Sequence, residues 1–213
     1  MLTRGRNAAL DVTGKIGKVD VTATVFANEI RHPLTLAPSV PSLPPGPPRE
    51  LVSAPGPART TGGEVFLTYD VAPIVFTGFY AYLWATELDP ISGARHEAPR
   101  NPRHNFFLDV TWEGTAGLWI ALEANFIGRQ ALDDDPSGMR SPGYANLEFL
   151  VMKSFGRASV YLNADNLTNV LQQDTAPLLR PVRGAGQSWT VGQWAPVEGR
   201  VLSAGIRYRL GRR

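Results

Sequence analysis

Cysteine is absent from the 213 residues, so disulfide staples and thiolate metal sites are excluded. Lysine is nearly absent: Lys15, Lys18 and Lys153 stand alone, and arginine carries the rest of the basic charge. A formal net charge of +2, spread along the chain, is no footprint of nucleic-acid binding. No stretch approaches the roughly 18 uninterrupted apolar residues of a membrane helix. That excludes helical spans but leaves a barrel open, because barrel strands need only about 9–11 residues with every second one apolar. The histidines His32, His96 and His104 show no ligand spacing and read as loop residues. The chain opens Met-Leu-Thr-Arg-Gly-Arg and shows no secretory signal pattern, so the expectation is either a cytoplasmic protein or one whose front lies elsewhere.

What the chain does have is alternation. With 18 prolines and 21 glycines as punctuation, about nine strands are predicted. They are Ala8–Lys15, Val19–Ile30, Thr60–Tyr69, Val75–Thr86, Asn105–Trp112, Leu118–Arg129, a run from Tyr144, Ala158–Asp165, and a final run from Val201. Successive side chains of a strand point to opposite faces, so each run has an apolar and a wetter parity. In the last run Leu202, Ala204, Ile206, Tyr208 and Leu210 share the apolar parity, opposite Arg207 and Arg209. In Val75–Thr86 one parity holds Val75, Thr77, Phe79, Ala81, Leu83 and Ala85, the other Tyr80, Tyr82 and Trp84; tyrosine is counted with Glu, Asp, Asn and Thr as a wet-face residue.

The apolar parity carries no charge through the middle of any strand, as a lipid-facing surface requires. Turns alternate short and long: Ile16-Gly-Lys, Asp70-Val-Ala-Pro73, Glu113-Gly-Thr-Ala-Gly117 and Lys153-Ser-Phe-Gly-Arg157 are short. The proline-rich stretch 33–57, the segment through Pro90 and Pro102, the Asp-rich segment and Val170–Gly199 are long. Outer-membrane barrels are wired in this way, with short periplasmic turns and long extracellular loops. A soluble β-sandwich binding module, which also hides one face and wets the other, stays open, as does a small autonomous outer-membrane barrel with a structural role.

Few residues suggest other chemistry. Asp133, Asp134 and Asp135 could hold a hard cation but lack calcium-loop spacing. His104 with Asp109 could exchange a proton, yet no nucleophile motif accompanies them, so no enzyme and no cofactor are expected. Asn163, Asp165, Asn166 and Asn169 read as a structural motif, since Asx side chains bond to neighbouring backbone and can pin a strand's exit. In the last long loop Arg180, Arg183, Trp189 and Trp194 are candidate ligand contacts: arginine pairs with carboxylate or phosphate, and tryptophan offers flat apolar area.

The run Asn163-Ala-Asp-Asn-Leu-Thr-Asn169, a long loop, Glu198-Gly-Arg200 and a closing alternating strand together resemble the C-terminus of TonB-dependent outer-membrane receptors. Phe126-Ile-Gly-Arg-Gln130, Phe26-Ala-Asn-Glu-Ile30 and Thr60-Thr-Gly-Gly-Glu64 resemble further segments of that family, in family order. The resemblance implies an all-β fold in which residues 1–213 form about nine strands of a 22-stranded antiparallel transmembrane barrel. No plug domain or export signal is in view. It further implies active import of a large scarce ligand, a ferric siderophore or a cobalamin-like compound. The implied partners are outer-membrane lipid, the TonB complex acting through a plug, and the barrel-assembly machinery. The family usually ends on an aromatic residue, whereas here Leu210 is followed by Gly-Arg-Arg213.

Overall fold

The computed structural model describes residues 2–38, 49–90, 92–132, 140–175, 179–181, 188–190 and 192–210. In chain order the strands are β1 (Arg4–Ile16), β2 (Val19–Arg31), β3 (Leu34–Pro38), β4 (Arg49–Ser53), β5 (Ala58–Val71), β6 (Ile74–Leu88) and β7 (Arg95–Glu97). They continue as β8 (His104–Glu113), β9 (Leu118–Ile127), β10 (Tyr144–Phe155), β11 (Ala158–Asp165), β12 (Leu179–Pro181), β13 (Ser188–Thr190) and β14 (Val201–Tyr208). One sheet runs β1-β2-β5-β6-β8-β9-β10-β11-β14 with every neighbouring pair antiparallel. No second large sheet faces it among the described residues. The β-sandwich expectation therefore fails, because a sandwich needs two sheets packed face to face.

The short connections are tight. Gly17 between β1 and β2 and Gly156 between β10 and β11 both have positive φ, which a glycine adopts without penalty. The long connections leave from the opposite end of the sheet. The proline-rich stretch 33–57, read from the sequence as one long loop, contains a small hairpin. There β3 pairs with β4, and the prolines of 44–48 fall outside the described residues.

Register settles which residues share a face. Val25 stands opposite Leu10 and Gly63, Gly63 opposite Tyr82, and Tyr82 opposite His104. One row on, Ala23, Val65, Tyr80, Phe106 and Phe126 line up across five strands. Tyr80, Tyr82 and Trp84 thus belong to the apolar face, correcting the wet-face reading of tyrosine. A tyrosine or tryptophan suits a half-polar boundary as well as a wet surface, so parity in β6 could only be fixed through its neighbours. Tyr80, Tyr82, Trp84, Phe106, Leu122 and Ile206 are all exposed. A sheet that leaves its bulky apolar side chains uncovered needs another apolar phase against it.

Aromatic residues bracket this face. Trp84, Tyr82 and Tyr80 lie toward the long loops, whereas Tyr69, Phe76, Trp112, Phe155 and Tyr208 lie toward the tight turns. Trp84 and Ile74, the latter opposite Trp112, lie ten positions apart on one strand. At about 3.3 Å per residue and a tilt of roughly 40°, that separation is about 25 Å of height. This equals the apolar band of a membrane barrel between its two aromatic girdles. No helix of the described residues is long and apolar enough to cross a membrane.

Candidate functional site

The opposite face is the more polar of the two and carries a transverse row of carboxylates. Asp109 on β8 stands opposite Glu123 on β9, and Glu123 opposite Glu148 on β10. Asp165, one residue past the last β10–β11 pair used by Ala164, continues the row. A partner two positions along the same strand holds three of them. Thr111 Oγ1 donates to Asp109 (3.0 Å), Asn146 Nδ2 to Glu148 (2.9 Å) and Asn163 Nδ2 to Asp165 (2.6 Å). Residues two apart in a strand share a face, so the alternation itself places each donor beside its carboxylate. An open depression of about 500 Å³ lies here, lined in part by Glu123, Glu148, Tyr161, Asn163, Ser203 and Arg207. Gly205 leaves room for the Tyr161 ring, because a Cβ there would sit 2.5 Å from it.

At the long-loop end the chain closes into a buried polar node. Asn166, in a left-handed conformation (φ 50°), donates from Nδ2 to the carbonyls of Val170 (2.9 Å) and Glu198 (3.0 Å). Its Oδ1 accepts from the Val170 amide at 2.9 Å. One side chain therefore ties the exit of β11 to both ends of the last long loop. Asn169, also left-handed, accepts from the Arg200 amide at 3.3 Å, and Arg200 Nε donates to the Leu167 carbonyl at 2.9 Å. Asparagine tolerates positive φ better than other residues with a Cβ, which is why two can stand in this turn.

Gln172 is fully buried beneath the same loop. Its Oε1 accepts from the amides of Trp194 (2.8 Å) and Ala195 (3.2 Å), and its Nε2 donates to the Gly192 carbonyl (3.1 Å). Gln130 Nε2 donates to the Trp194 carbonyl at 3.2 Å, while Gln130 and Ser141 exchange two further bonds. Sequence reasoning missed Gln130, Ser141 and Gln172, since a lone polar residue in a loop gives no periodic signal. The motif containing Gln130 was visible, but its partner 64 positions away was not.

The candidate ligand contacts separate. Trp194 is 7% exposed, packed with Ala195, Leu132 and Tyr144 at the loop base. Arg180 and Trp189 stand opposite each other in the β12–β13 hairpin. Arg183 lies outside the described residues, as do Asp133, Asp134 and Asp135. In β14, Leu202, Ala204, Ile206 and Tyr208 oppose Ala164, Leu162, Val160 and Ala158, on the apolar face, and Leu210 lies beyond the strand. His104 and Asp109 fall on opposite faces of β8, so they cannot exchange a proton directly. His104 instead bonds Tyr80 Oη at 2.8 Å and packs beside Tyr82.

Asn166→Ala removes the side-chain hydrogen bonds to Val170 and Glu198 and strains the left-handed backbone. It is expected to destabilise the loop base by about 1–3 kcal/mol, read as faster hydrogen exchange at Val170 and at the residues around Glu198. Unchanged exchange would show that the asparagine does not hold the loop.

The sequence matches the family model described as TonB dependent receptor-like, beta-barrel over residues 3–167. A search of curated proteins returned no match. Among solved structures, the chain is similar to the FrpB iron transporter from Neisseria meningitidis, at 15% identity and a TM-score of 0.67. The ferric yersiniabactin uptake receptor FyuA from Yersinia pestis gives 19% and 0.67, and a mutant of the ferric enterobactin receptor PfeA from Pseudomonas aeruginosa gives 15% and 0.71. Each comparison covers 97% of this chain and 31%, 30% and 31% of the respective partner. The chain spans under a third of the length of these structures.

Proposed function

This chain belongs to the TonB-dependent receptor-like β-barrel family, and from that membership we propose that it is barrel wall of a receptor importing a large, scarce ligand. Members of this family are bacterial outer-membrane proteins, and the apolar face is accordingly the outer one and the carboxylate-bearing face the lumen. Under this reading residues 1–213 supply the C-terminal strands of the barrel, and the cargo is a ferric siderophore or a cobalamin-like compound. The TonB complex energises passage through a plug domain, and the barrel-assembly machinery inserts the strands. The protein moves its ligand without chemical change, so no catalytic residue is required.

The observation that carries this reading is the single continuous sheet, apolar with two aromatic belts on one side and carboxylate-lined on the other, with every long loop at one end. Structural neighbours whose names include iron transporter and ferric siderophore receptors favour an iron cargo.

The test is accumulation of radiolabelled iron–siderophore complexes or cobalamin in cells carrying or lacking the receptor. Import of one ligand class should vanish with the receptor and with TonB. Within the last loop, Trp189→Ala should weaken binding of that ligand roughly tenfold or more, as for an aromatic anchor at a recognition surface. Accumulation that persists without TonB would remove energised import from the account.

A further inference from the structure

Among the described residues, two buried side-chain polar atoms have no hydrogen-bond partner: Asn146 Oδ1 and Trp194 Nε1. One is an acceptor and the other a donor, and the chain puts both on the same stretch of wall. Tyr144, Asn146 and Glu148 alternate onto the carboxylate-bearing face of β10, with Tyr144 opposite Ile127 and Asn146 opposite Asn125. Trp194 packs on Tyr144, with ring centroids 6.3 Å apart, which puts it at the loop end of that face. Asn146 comes next along the same face, beside the turn that follows β11. The Leu167 amide donates to the Leu147 carbonyl and Thr168 Oγ1 to the Ala145 carbonyl, both at 2.8 Å. This turn therefore grips the residues on either side of Asn146. Asn146 Nδ2 is committed to Glu148, which fixes the amide and leaves its oxygen as the free end.

The Trp194 amide donates to Gln172, and its carbonyl accepts from Gln130 and Tyr144. The residue is thus held by its backbone, while its ring, 7% exposed, carries an idle N–H. A buried donor or acceptor without a partner destabilises the state that holds it. Both orphans therefore lower the cost of opening the loop base. A ligand that satisfies them favours the opened state by its differential affinity. One donor and one acceptor on a wall are matched by a group carrying the converse pair, the carbonyl oxygen and N–H of an amide. A carboxylate supplies only acceptors, and it would meet the charge of Glu148 beside Asn146. We propose that Trp194 Nε1 and Asn146 Oδ1 form a concealed subsite on the lumen wall, uncovered as the loop base opens, for an amide group of the imported ligand. The cargo class is then an amide-bearing chelate or corrinoid and not one built from carboxylates. This deepens the import reading above and rests on it.

Binding is measured on the receptor in outer membranes with three probes: ferrioxamine B and cyanocobalamin, which carry amides, and ferric citrate, which has none. An amide-bearing probe should bind, and Trp194→Phe and Asn146→Leu should each weaken it roughly tenfold, the loss of one hydrogen bond to a buried partner. Any binding of ferric citrate should be unchanged by either. With no probe present, removing the orphan donor should slow hydrogen exchange at the Ala195 amide roughly tenfold, because the closed state no longer buries it unsatisfied. The smaller ring of Trp194→Phe also loosens packing. The exchange comparison is therefore made with β-(3-benzothienyl)alanine at position 194, which keeps the two-ring shape without the N–H. Exchange that is unchanged or faster with that residue overturns the proposal, as does undiminished binding of the amide-bearing probe by folded variants. Binding of ferric citrate alone overturns it too and leaves import standing, whereas binding of no probe overturns both readings.

Discussion

Leu122→Arg is expected to destabilise the barrel by about 2–4 kcal/mol, the range for a basic residue facing lipid near the bilayer midplane. Leu122 sits midway along β9, 45% exposed, between Val110 and Phe149 in register. The aromatic belts lie on either side of this row, so a guanidinium here is far from both interfaces. Glu123→Ala changes the adjacent residue on the other face and should cost far less. It removes one charge from a row where Asp109 and Glu148 are its cross-strand neighbours, and like charges directly opposite are unfavourable. The measurement is urea titration of the barrel folded into liposomes, with the two variants compared side by side. Equal costs would mean that β9 does not present one face to lipid, and the sheet would have to be re-oriented.

The contrast rests on a pattern already legible in the sequence. Strands such as Val19–Arg31 and Leu118–Ile127 were readable because apolar residues recur at every second position through most of their length, as one apolar face requires. The position of the long loops was readable because proline cannot donate to the ladder and clusters of proline with glycine break the alternation. β6 was readable as a strand but not as an orientation. Phe79, Ala81 and Leu83 look as apolar as Tyr80, Tyr82 and Trp84, and only pairing with Val65 and Phe106 decides between them. The β3–β4 hairpin was hidden by its length, since five residues flanking prolines carry too little pattern to register. The Asx motif was legible as architecture, yet what Asn166 grips, the Glu198 carbonyl 32 positions away, is a tertiary fact.

The same limit applies with more force to Gln172, whose replacement gives the second large expected effect. Its side chain is completely buried and satisfies three backbone groups: the amides of Trp194 and Ala195 and the carbonyl of Gly192. Gln172→Ala strips all three of their partner at once. Leaving buried backbone groups unsatisfied costs about 1–3 kcal/mol each when water cannot reach them. Water entering the vacated space would recover part of this, so a net loss of about 2–4 kcal/mol for closing the loop base is expected. Hydrogen exchange at the Trp194 and Ala195 amides should then accelerate roughly thirtyfold to a thousandfold, at 1.4 kcal/mol per factor of ten. Gln172→Glu separates the two roles of the amide. A carboxylate still accepts from both amides but cannot donate to the Gly192 carbonyl, and it brings an unpaired charge into a buried site. If acceptance dominates, the glutamate variant keeps slow exchange at Trp194 and Ala195 while the Gly192 side loosens. If burial of charge dominates, it behaves like alanine or worse at neutral pH. Because β12 and β13 lie between Gln172 and Gly192, ligand binding through Arg180 or Trp189 should fall in parallel with the loss of protection. Normal exchange in Gln172→Ala would show that Trp194, packed against Tyr144 and Leu132 and bonded to Gln130, holds the loop base without the glutamine.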